Sequence, residues 1–297
     1  MSRLKKTILT AAAFISLLAC YDKAKADGLV NEIPSCYEAN HIRPFGPRYD
    51  KLFVVLIDQT VLLDDNLQQQ VLQSISTMIQ PGTLYIIGEF SAFSQGRYLN
   101  ILASGIAEDP IPANQIGNIP IVAVDPFKHC MSDQLNYATQ SAEKAAYNAM
   151  QDASSSLDQS DILMAMKDIS ARFKQTNVPN KALLVVTDGL EYSSITSFYA
   201  HATVRNINPD TEMQKVNANS MTGDFGGARV YVIGGADEPP AKVGTKAQLD
   251  GYRNPQIQMH LQQFWQDYFK ASNANLVAFG EPALLSLPSW GANHMRQ

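Results

Sequence analysis

Residues 51–60, Lys-Leu-Phe-Val-Val-Leu-Ile-Asp-Gln-Thr, decide the fold of this chain. Within them, residues 52–57 form an uninterrupted apolar run rich in β-branched and aromatic side chains, and the run ends at Asp58. Such a run predicts a strand that is buried on both faces, as in a parallel sheet covered by helices. Residues 183–186 (Leu-Leu-Val-Val) and 230–233 (Val-Tyr-Val-Ile) repeat the pattern. We therefore expect a parallel sheet whose central strands end in short polar or glycine-containing turns.

The segments between these runs alternate between helical and strand-like patterns. Four segments have the composition or the three-to-four spacing of helices: residues 64–79, 131–153, 161–173 and 256–270. Three further segments are typical of strands: residues 84–87, 98–103 and 275–279. The link around Gln95 and Gly96 is short, and a parallel crossover needs about a dozen residues or more. We therefore expect the strands that it joins to be antiparallel.

This alternation predicts a doubly wound, mostly parallel α/β sheet with helices on both faces and one antiparallel edge strand. No second core or interdomain linker is evident, so we assign one domain to residues 48–286. A lead-in segment at 27–47 precedes the domain, and a C-terminal tail at 287–297 follows it. The segment 107–130 is an insertion rich in proline, asparagine and aspartate, and its run at 119–124 predicts one extra short strand.

The N-terminus has the pattern of an export signal. A basic start is followed by a mostly apolar run at 8–19, which is short for a membrane span but suits the core of a signal peptide. Ala24-Lys25-Ala26 supplies small residues for cleavage before Asp27, so residues 1–26 are assigned as a signal peptide. Alternatively, Leu17-Leu18-Ala19-Cys20 resembles a lipobox, and a lipidated Cys20 would anchor the protein to a membrane. Both alternatives predict an envelope protein, either soluble in the periplasm or lipid-anchored.

The cysteine count is consistent with export. Three cysteines are present, and Cys20 lies in the leader, which leaves Cys36 and Cys130 as a single pair. An oxidising compartment favours a disulfide between them, although two unrelated buried thiols would have the same sequence. The formal charge is −5, and nothing in the sequence indicates a clustered basic face, so we expect no nucleic-acid partner.

Four polar residues stand where strands end or helices begin: Asp58, Thr60, Ser160 and Asp188. Open α/β sheets bind ligands at the carboxyl ends of their strands, where these residues would converge. Their carboxylate and hydroxyl oxygens are hard ligands suited to Mg²⁺, Mn²⁺ or Ca²⁺. Separate local roles, as helix caps and turn residues, would also explain each one.

The same segments resemble the von Willebrand factor A family. Residues 54–62 (VVLIDQTVL) are similar to the first strand of that family and its D-x-S-x-S loop. Residues 159–169 (QSDILMAMKDI) and 182–191 (ALLVVTDGLE) resemble its second and third metal-binding segments, and residues 228–236 and 264–280 resemble its last strand, helix and strand. The resemblance implies a metal-ion-dependent adhesion site on Asp58, Thr60, Ser160 and Asp188, with Mg²⁺ or another divalent cation. Leu62 occupies the third position of the first loop, and leucine cannot bind a metal.

We therefore predict an exported protein-binding module rather than an enzyme. The resemblance implies that an acidic side chain of a protein partner completes the coordination of the metal. An alternative is a structural component of an envelope secretion or conjugation assembly with a degenerate metal site, making contacts through 107–130, 201–227 or 236–255. A haloacid dehalogenase-like phosphatase is less favoured, because Thr60 stands where that class has a second carboxylate.

Overall fold

A computed structural model describes residues 31–92, 99–154, 157, 159–200, 203–236, 254–280 and 282–291. The helices are α1 (Cys36–Ala39), α2 (Asp65–Met78), α3 (Ile121–Asp152), α4 (Ile162–Gln175), α5 (Pro209–Ala218) and α6 (Pro255–Ala271). The strands are β1 (Lys51–Asp58), β2 (Thr83–Phe90), β3 (Leu99–Ala107), β4 (Asn180–Val186), β5 (Tyr199–Ala200), β6 (Thr203–Val204), β7 (Ala228–Ile233) and β8 (Ala274–Phe279). A short 3₁₀ helix spans Ala113–Asn118. Within these described residues, no helix is long and apolar enough to cross a membrane.

Six strands form one sheet in the order β3-β2-β1-β4-β7-β8. The pairs β1–β2, β1–β4, β4–β7 and β7–β8 are parallel, and β2–β3 is antiparallel. β5 and β6 form a separate two-stranded antiparallel sheet. The predicted fold class is therefore confirmed, including the antiparallel strand at one edge. Because β1 lies between β2 and β4, its carboxyl end is flanked by the ends of two parallel neighbours.

The alternation of side chains along β1 divides the core into two layers. Leu52, Val54 and Leu56 face α4 and α6, while Phe53, Val55 and Ile57 face α2 and α3. All six are at most 1% exposed, which explains why β1 is apolar throughout its length. α3 contributes a stripe of buried alanines at four-residue spacing: Ala138, Ala142 and Ala146. Such small side chains let this long helix lie close to the sheet.

The insertion at 107–130 differs from the prediction. The expected short strand at 119–124 is wrong: Pro120 precedes the first turn of α3, and the helix continues for 32 residues to Asp152. The β-branched residues at 119–124 suggested a strand. Two tertiary contacts favour the helix instead, because Phe127 packs edge-on against Tyr37 and Cys130 bonds to Cys36.

The predicted disulfide is confirmed. Cys36 and Cys130 are joined across 94 residues of sequence, which ties α1 to the N-terminal half of α3. The lead-in segment around Cys36 is therefore held against the insertion. At the other end of the chain, Trp290 lies in the stretch expected as a tail. It buries its ring beside Phe53, and its indole N–H donates to the Met78 carbonyl at 3.1 Å.

Candidate functional site

Asp58 is the centre of the candidate site. It ends β1, its side chain is 1% exposed, and both of its carboxylate oxygens accept hydrogen bonds. Oδ1 accepts from the backbone N–H of Thr60 at 3.0 Å and from its hydroxyl at 2.7 Å. Oδ2 accepts from the hydroxyls of Ser160 at 2.7 Å and Thr187 at 2.8 Å. Three hydroxyl groups from three separate loops therefore converge on one buried carboxylate.

The topology of the sheet brings these loops together. β1 and β4 are parallel neighbours in which Ile57 pairs with Val186, so Asp58 and Thr187 follow side by side at the same edge. Ser160 comes from the loop before α4, whose N-cap residue Asp161 accepts the Met164 N–H. Of the four residues predicted to converge at this edge, Asp58, Thr60 and Ser160 are joined by hydrogen bonds.

Gln59 fixes the loop that carries Thr60. Its side chain is fully buried, and its amide donates to the Ala149 carbonyl near the end of α3 at 3.0 Å. Its backbone N–H donates to Phe90 at the end of β2, and its carbonyl accepts from Ser154. The loop after β1 is thus held from both sides, which limits how far Thr60 can move from Asp58.

Asp188 lies one residue beyond the cluster. It is 9% exposed, and its Oδ1 accepts the Leu190 N–H at 2.8 Å across the turn. Gly189 occupies the left-handed region with φ of +75°, and its carbonyl accepts from the indole of Trp265 at 2.9 Å. Asp188 is adjacent in the chain to Thr187, whose hydroxyl bonds to Asp58. Its own side chain stabilises the turn that follows β4.

Thr187 was not among the predicted site residues. Its hydroxyl bonds to Asp58, and it also accepts the Gly189 N–H at 3.1 Å. The sequence signal was its position at the end of a buried strand, directly before an aspartate. Leu62, in contrast, is 57% exposed and takes no part in the described contacts around Asp58.

The electrostatics of the site depend on the carboxyl group of Asp58. Burial raises the pKa of Asp58, while the hydrogen bonds from Thr60, Ser160 and Thr187 oppose that rise. An ionised carboxylate in so dry a position gains from a nearby positive charge. The donor set is made of carboxylate and hydroxyl oxygens, which fits a hard divalent cation. Within the described residues, no group of three or more histidine, cysteine, aspartate or glutamate side chains is placed to hold a metal ion.

A second buried carboxyl group lies beside the site. Glu191 is fully buried, and its Oε2 accepts the Leu163 N–H in the first turn of α4 at 3.0 Å. Burial raises its pKa to about 8, and the charge of Asp161 acts in the same direction. Glu191 therefore carries a proton at neutral pH. It holds the loop after β4 against α4 as an uncharged group.

Comparison with known proteins gives only distant similarities. No family profile matches the chain, and no curated protein matches its sequence. An aerotolerance-related membrane protein from Bacteroides fragilis with multiple mutations to serines is similar in structure, at 14% identity and a TM-score of 0.33, over 76% of this chain and 90% of that one. The N-terminal domain of TFIIH p34 gives 10% identity and a TM-score of 0.30, over 73% of this chain and 96% of that domain.

The pilus adhesin SpaC from Lactobacillus rhamnosus GG, in its open conformation, gives 11% identity and a TM-score of 0.36. The similarity covers 75% of this chain but only 31% of the adhesin. With similarities as low as these, none of the three structures defines the family or the function of this chain.

Proposed function

We propose that this protein is an exported binding module of a bacterial cell envelope. It binds a protein partner through a divalent cation at the carboxyl edge of the sheet. The observation that carries the proposal is the convergence of the Thr60, Ser160 and Thr187 hydroxyls on buried Asp58. In this proposal, Thr60, Ser160 and Asp188 hold the ion, Asp58 supplies the charge, and an acidic side chain of the partner completes the coordination.

The cation half of this proposal is tested by calorimetric titration of the mature protein with Mg²⁺, Mn²⁺ and Ca²⁺. We expect heat of binding from at least one ion, and we expect Asp58→Ala to abolish it. Asp65→Ala is the matched control, because Asp65 is an exposed carboxylate in the first turn of the next helix. Absence of heat with all three ions would exclude the cation-dependent form of the proposal.

A gain-of-function variant makes the test sharper. Leu62 is exposed, so Leu62→Ser changes no core packing and restores a hydroxyl at the third position of the loop. We expect this variant to tighten ion binding by about 10-fold, which corresponds to roughly 1.4 kcal/mol. Equal affinity of the variant and the wild type would mean that residue 62 lies outside the coordination sphere.

A second candidate function is a structural role in an envelope secretion or conjugation assembly. The observation that favours it is an exposed apolar pair on the insertion: Ile121 is 86% exposed and Val122 is 80% exposed. The double substitution Ile121→Asp and Val122→Asp would then abolish co-purification with envelope proteins in mild detergent. If the pair is dispensable and Asp58→Ala abolishes binding instead, the cation-dependent module is favoured.

We propose no catalytic role. The hydroxyl of Thr60, at the position where a phosphatase of the haloacid dehalogenase class needs its general acid, donates a hydrogen bond to Asp58. Robust hydrolysis of a generic phosphomonoester that is lost in Asp58→Asn would contradict this.

A further inference from the structure

A groove of about 400 Å³ lies between β3 and α3, at one edge of the sheet. Leu102 and Ala103 form the β3 side of this groove, and Ala145 and Ala149 form the apolar part of the α3 side. Because the alanine side chains are small, space remains between the helix and the strand. The volume lies within the range of ordinary ligand pockets, about 300 to 1,000 Å³.

Charged side chains line the same groove unequally. Glu32, Glu89 and Asp152 contribute three carboxylates, and Lys144 contributes one ammonium group. None of the four takes part in a salt bridge among the described residues. The described partner of Glu89 is uncharged, since its Oε1 accepts from the amide of Asn100 at 3.2 Å. The groove therefore carries an uncompensated negative charge, and positively charged groups are its complement.

An unpartnered hydroxyl lies behind the wall of the groove. Tyr85 is fully buried, and its hydroxyl has no hydrogen-bond partner among the described residues. Burial raises the pKa of Tyr85 to about 12, its neighbour Ser141 opposes that rise, and the charge of Glu32 adds to it. Ser141 and Glu32 both line the groove, so the phenol lies next to it. A polar group that entered here would satisfy this hydroxyl.

The outer edge of β3 already pairs with an extended segment at one end. The Glu32 N–H donates to the Ser104 carbonyl at 3.2 Å, and the Ile106 N–H donates to the side chain of Asn31 at 3.1 Å. β3 continues along the groove through residues 99–103. In the described part of the chain, the sheet has no strand beyond β3 on this side. An open edge of this kind is a template for one more strand.

The two faces of β3 differ along residues 99–103. Leu102 and Ala103 belong to the layer that contains α3 and line the groove. Leu99 and Ile101 pack against the opposite layer, which contains α4 and α6. Since successive side chains of a strand point to opposite faces, an added strand would place one row of side chains at the groove and the other row beside Leu99 and Ile101.

We propose that the outer edge of β3 at residues 99–103 is a docking site for an extended segment of a protein partner in which basic and apolar residues alternate. The segment adds a strand to the sheet through backbone hydrogen bonds. Its basic side chains enter the groove beside the three carboxylates, and its apolar side chains pack beside Leu99 and Ile101. This surface is separate from Asp58, and docking there requires no cation.

The pairing is tested with the peptide acetyl-Val-Lys-Val-Lys-Val-Lys-amide, added to the exported protein in the presence of EDTA. We expect the peptide to slow hydrogen exchange in the segment 99–103 by about 10-fold or more. The amides of β8, the strand at the opposite edge, should keep their rates. The same peptide with glutamate in place of lysine is the matched control and should give no protection. Absence of protection, or equal protection by both peptides, would overturn the inference.

Two methylated peptides separate strand pairing from simple charge attraction. Successive N–H groups of a strand face opposite sides, so N-methylation of the three lysines and N-methylation of the three valines remove donors on opposite sides. We expect one of these peptides to lose its binding and the other to keep it. Equal affinity of the two would mean that charge alone holds the peptide, which would overturn the added strand.

Charge variants of the protein test the groove itself. At low ionic strength, we expect the double variant Glu89→Gln and Asp152→Asn to bind the lysine peptide about 10-fold more weakly, and Lys144→Gln to bind it several-fold more tightly. Asp133→Asn is the control, because Asp133 is an exposed carboxylate of α3 outside the groove lining, and it should bind like the wild type. Unchanged affinity in the double variant, or weaker binding by Lys144→Gln, would overturn the placement of the basic side chains. Because EDTA is present throughout, these results are independent of the proposed cation site.

Discussion

Glu191 predicts a strong pH dependence of the free energy of unfolding, because its carboxyl group is buried in the loop that follows β4. The side chain is fully buried, and the described bond to its Oε2 comes from the Leu163 N–H. Burial raises its pKa from 4.5 to about 8. The perturbation that we propose is Glu191→Gln, which keeps the shape of the side chain and an amide oxygen for that bond but removes the titration.

The sign of the effect follows from proton binding. Between pH 4.5 and 8 the unfolded chain loses the Glu191 proton while the native protein keeps it. The unfolded state then binds fewer protons, so the free energy of unfolding falls as the pH rises through this window. At about 1.4 kcal/mol for each unit of pKa difference, the fall approaches 4 to 5 kcal/mol at pH 8. Well below pH 4.5, where both states keep the proton, this contribution to the pH dependence vanishes.

Urea unfolding at pH 5, 6, 7 and 8 measures the effect. We expect the stability of the wild type to decline over this range and that of Glu191→Gln to decline much less. Some decline remains in the variant, because burial also raises the pKa of Asp58. Glu38→Gln is the control: the Glu38 side chain is 79% exposed, so this variant keeps the wild-type slope. Parallel slopes for the wild type and Glu191→Gln would refute the assignment of a buried, protonated carboxyl group.

Three further variants test other parts of the structure. Replacing both Cys36 and Cys130 by serine opens a loop of 94 residues, and we expect chemical denaturation to show a loss of about 4 to 5 kcal/mol in the chain-entropy picture. Gly189→Ala places a Cβ 2.9 Å from the Trp265 indole nitrogen at a positive φ, and we expect its melting temperature to fall with a loss of about 1 to 3 kcal/mol. Thr187→Val removes one hydroxyl from Asp58, and we expect urea unfolding to show a loss of about 1.5 to 3 kcal/mol. Unchanged stability in any of the three would contradict the corresponding contact.

Much of the fold was predictable because the central strands are buried on both sides. Residues 52–57 and 183–186 have no polar interruption. This pattern distinguishes the strands of a parallel sheet covered by helices from strands that have one face in solvent. The start of α3 was not predictable in the same way. Residues 119–124 favour a strand by composition, and the helix there depends on Phe127 and Cys130 meeting partners from the lead-in segment. Those contacts join residues about 90 positions apart, beyond the reach of any local pattern.

The candidate site was predictable in part for a related reason. Asp58 and Ser160 stand next to buried elements, so their position at the edge of the sheet follows from the fold. Thr187 stands at the end of a buried strand directly before an aspartate, but that position does not by itself indicate a contact with Asp58, which depends on the pairing of β1 with β4. The burial of Glu191 was also hidden, since the sequence around it is that of a polar turn.

The hydrogen bonds of Asp58 constrain how any cation binds. A carboxylate has about four lone-pair sites, and Asp58 accepts four bonds, two at each oxygen. A cation that contacts Asp58 directly must displace one of these donors, whereas a cation that contacts the hydroxyl oxygens leaves all four bonds in place. Asp58 then acts by charge and by orienting Thr60 and Ser160. A hydroxyl at residue 62 would extend the set of hydroxyl ligands without competing for Asp58. Replacing this single exposed leucine by serine is therefore expected to have a large effect on the affinity for the cation.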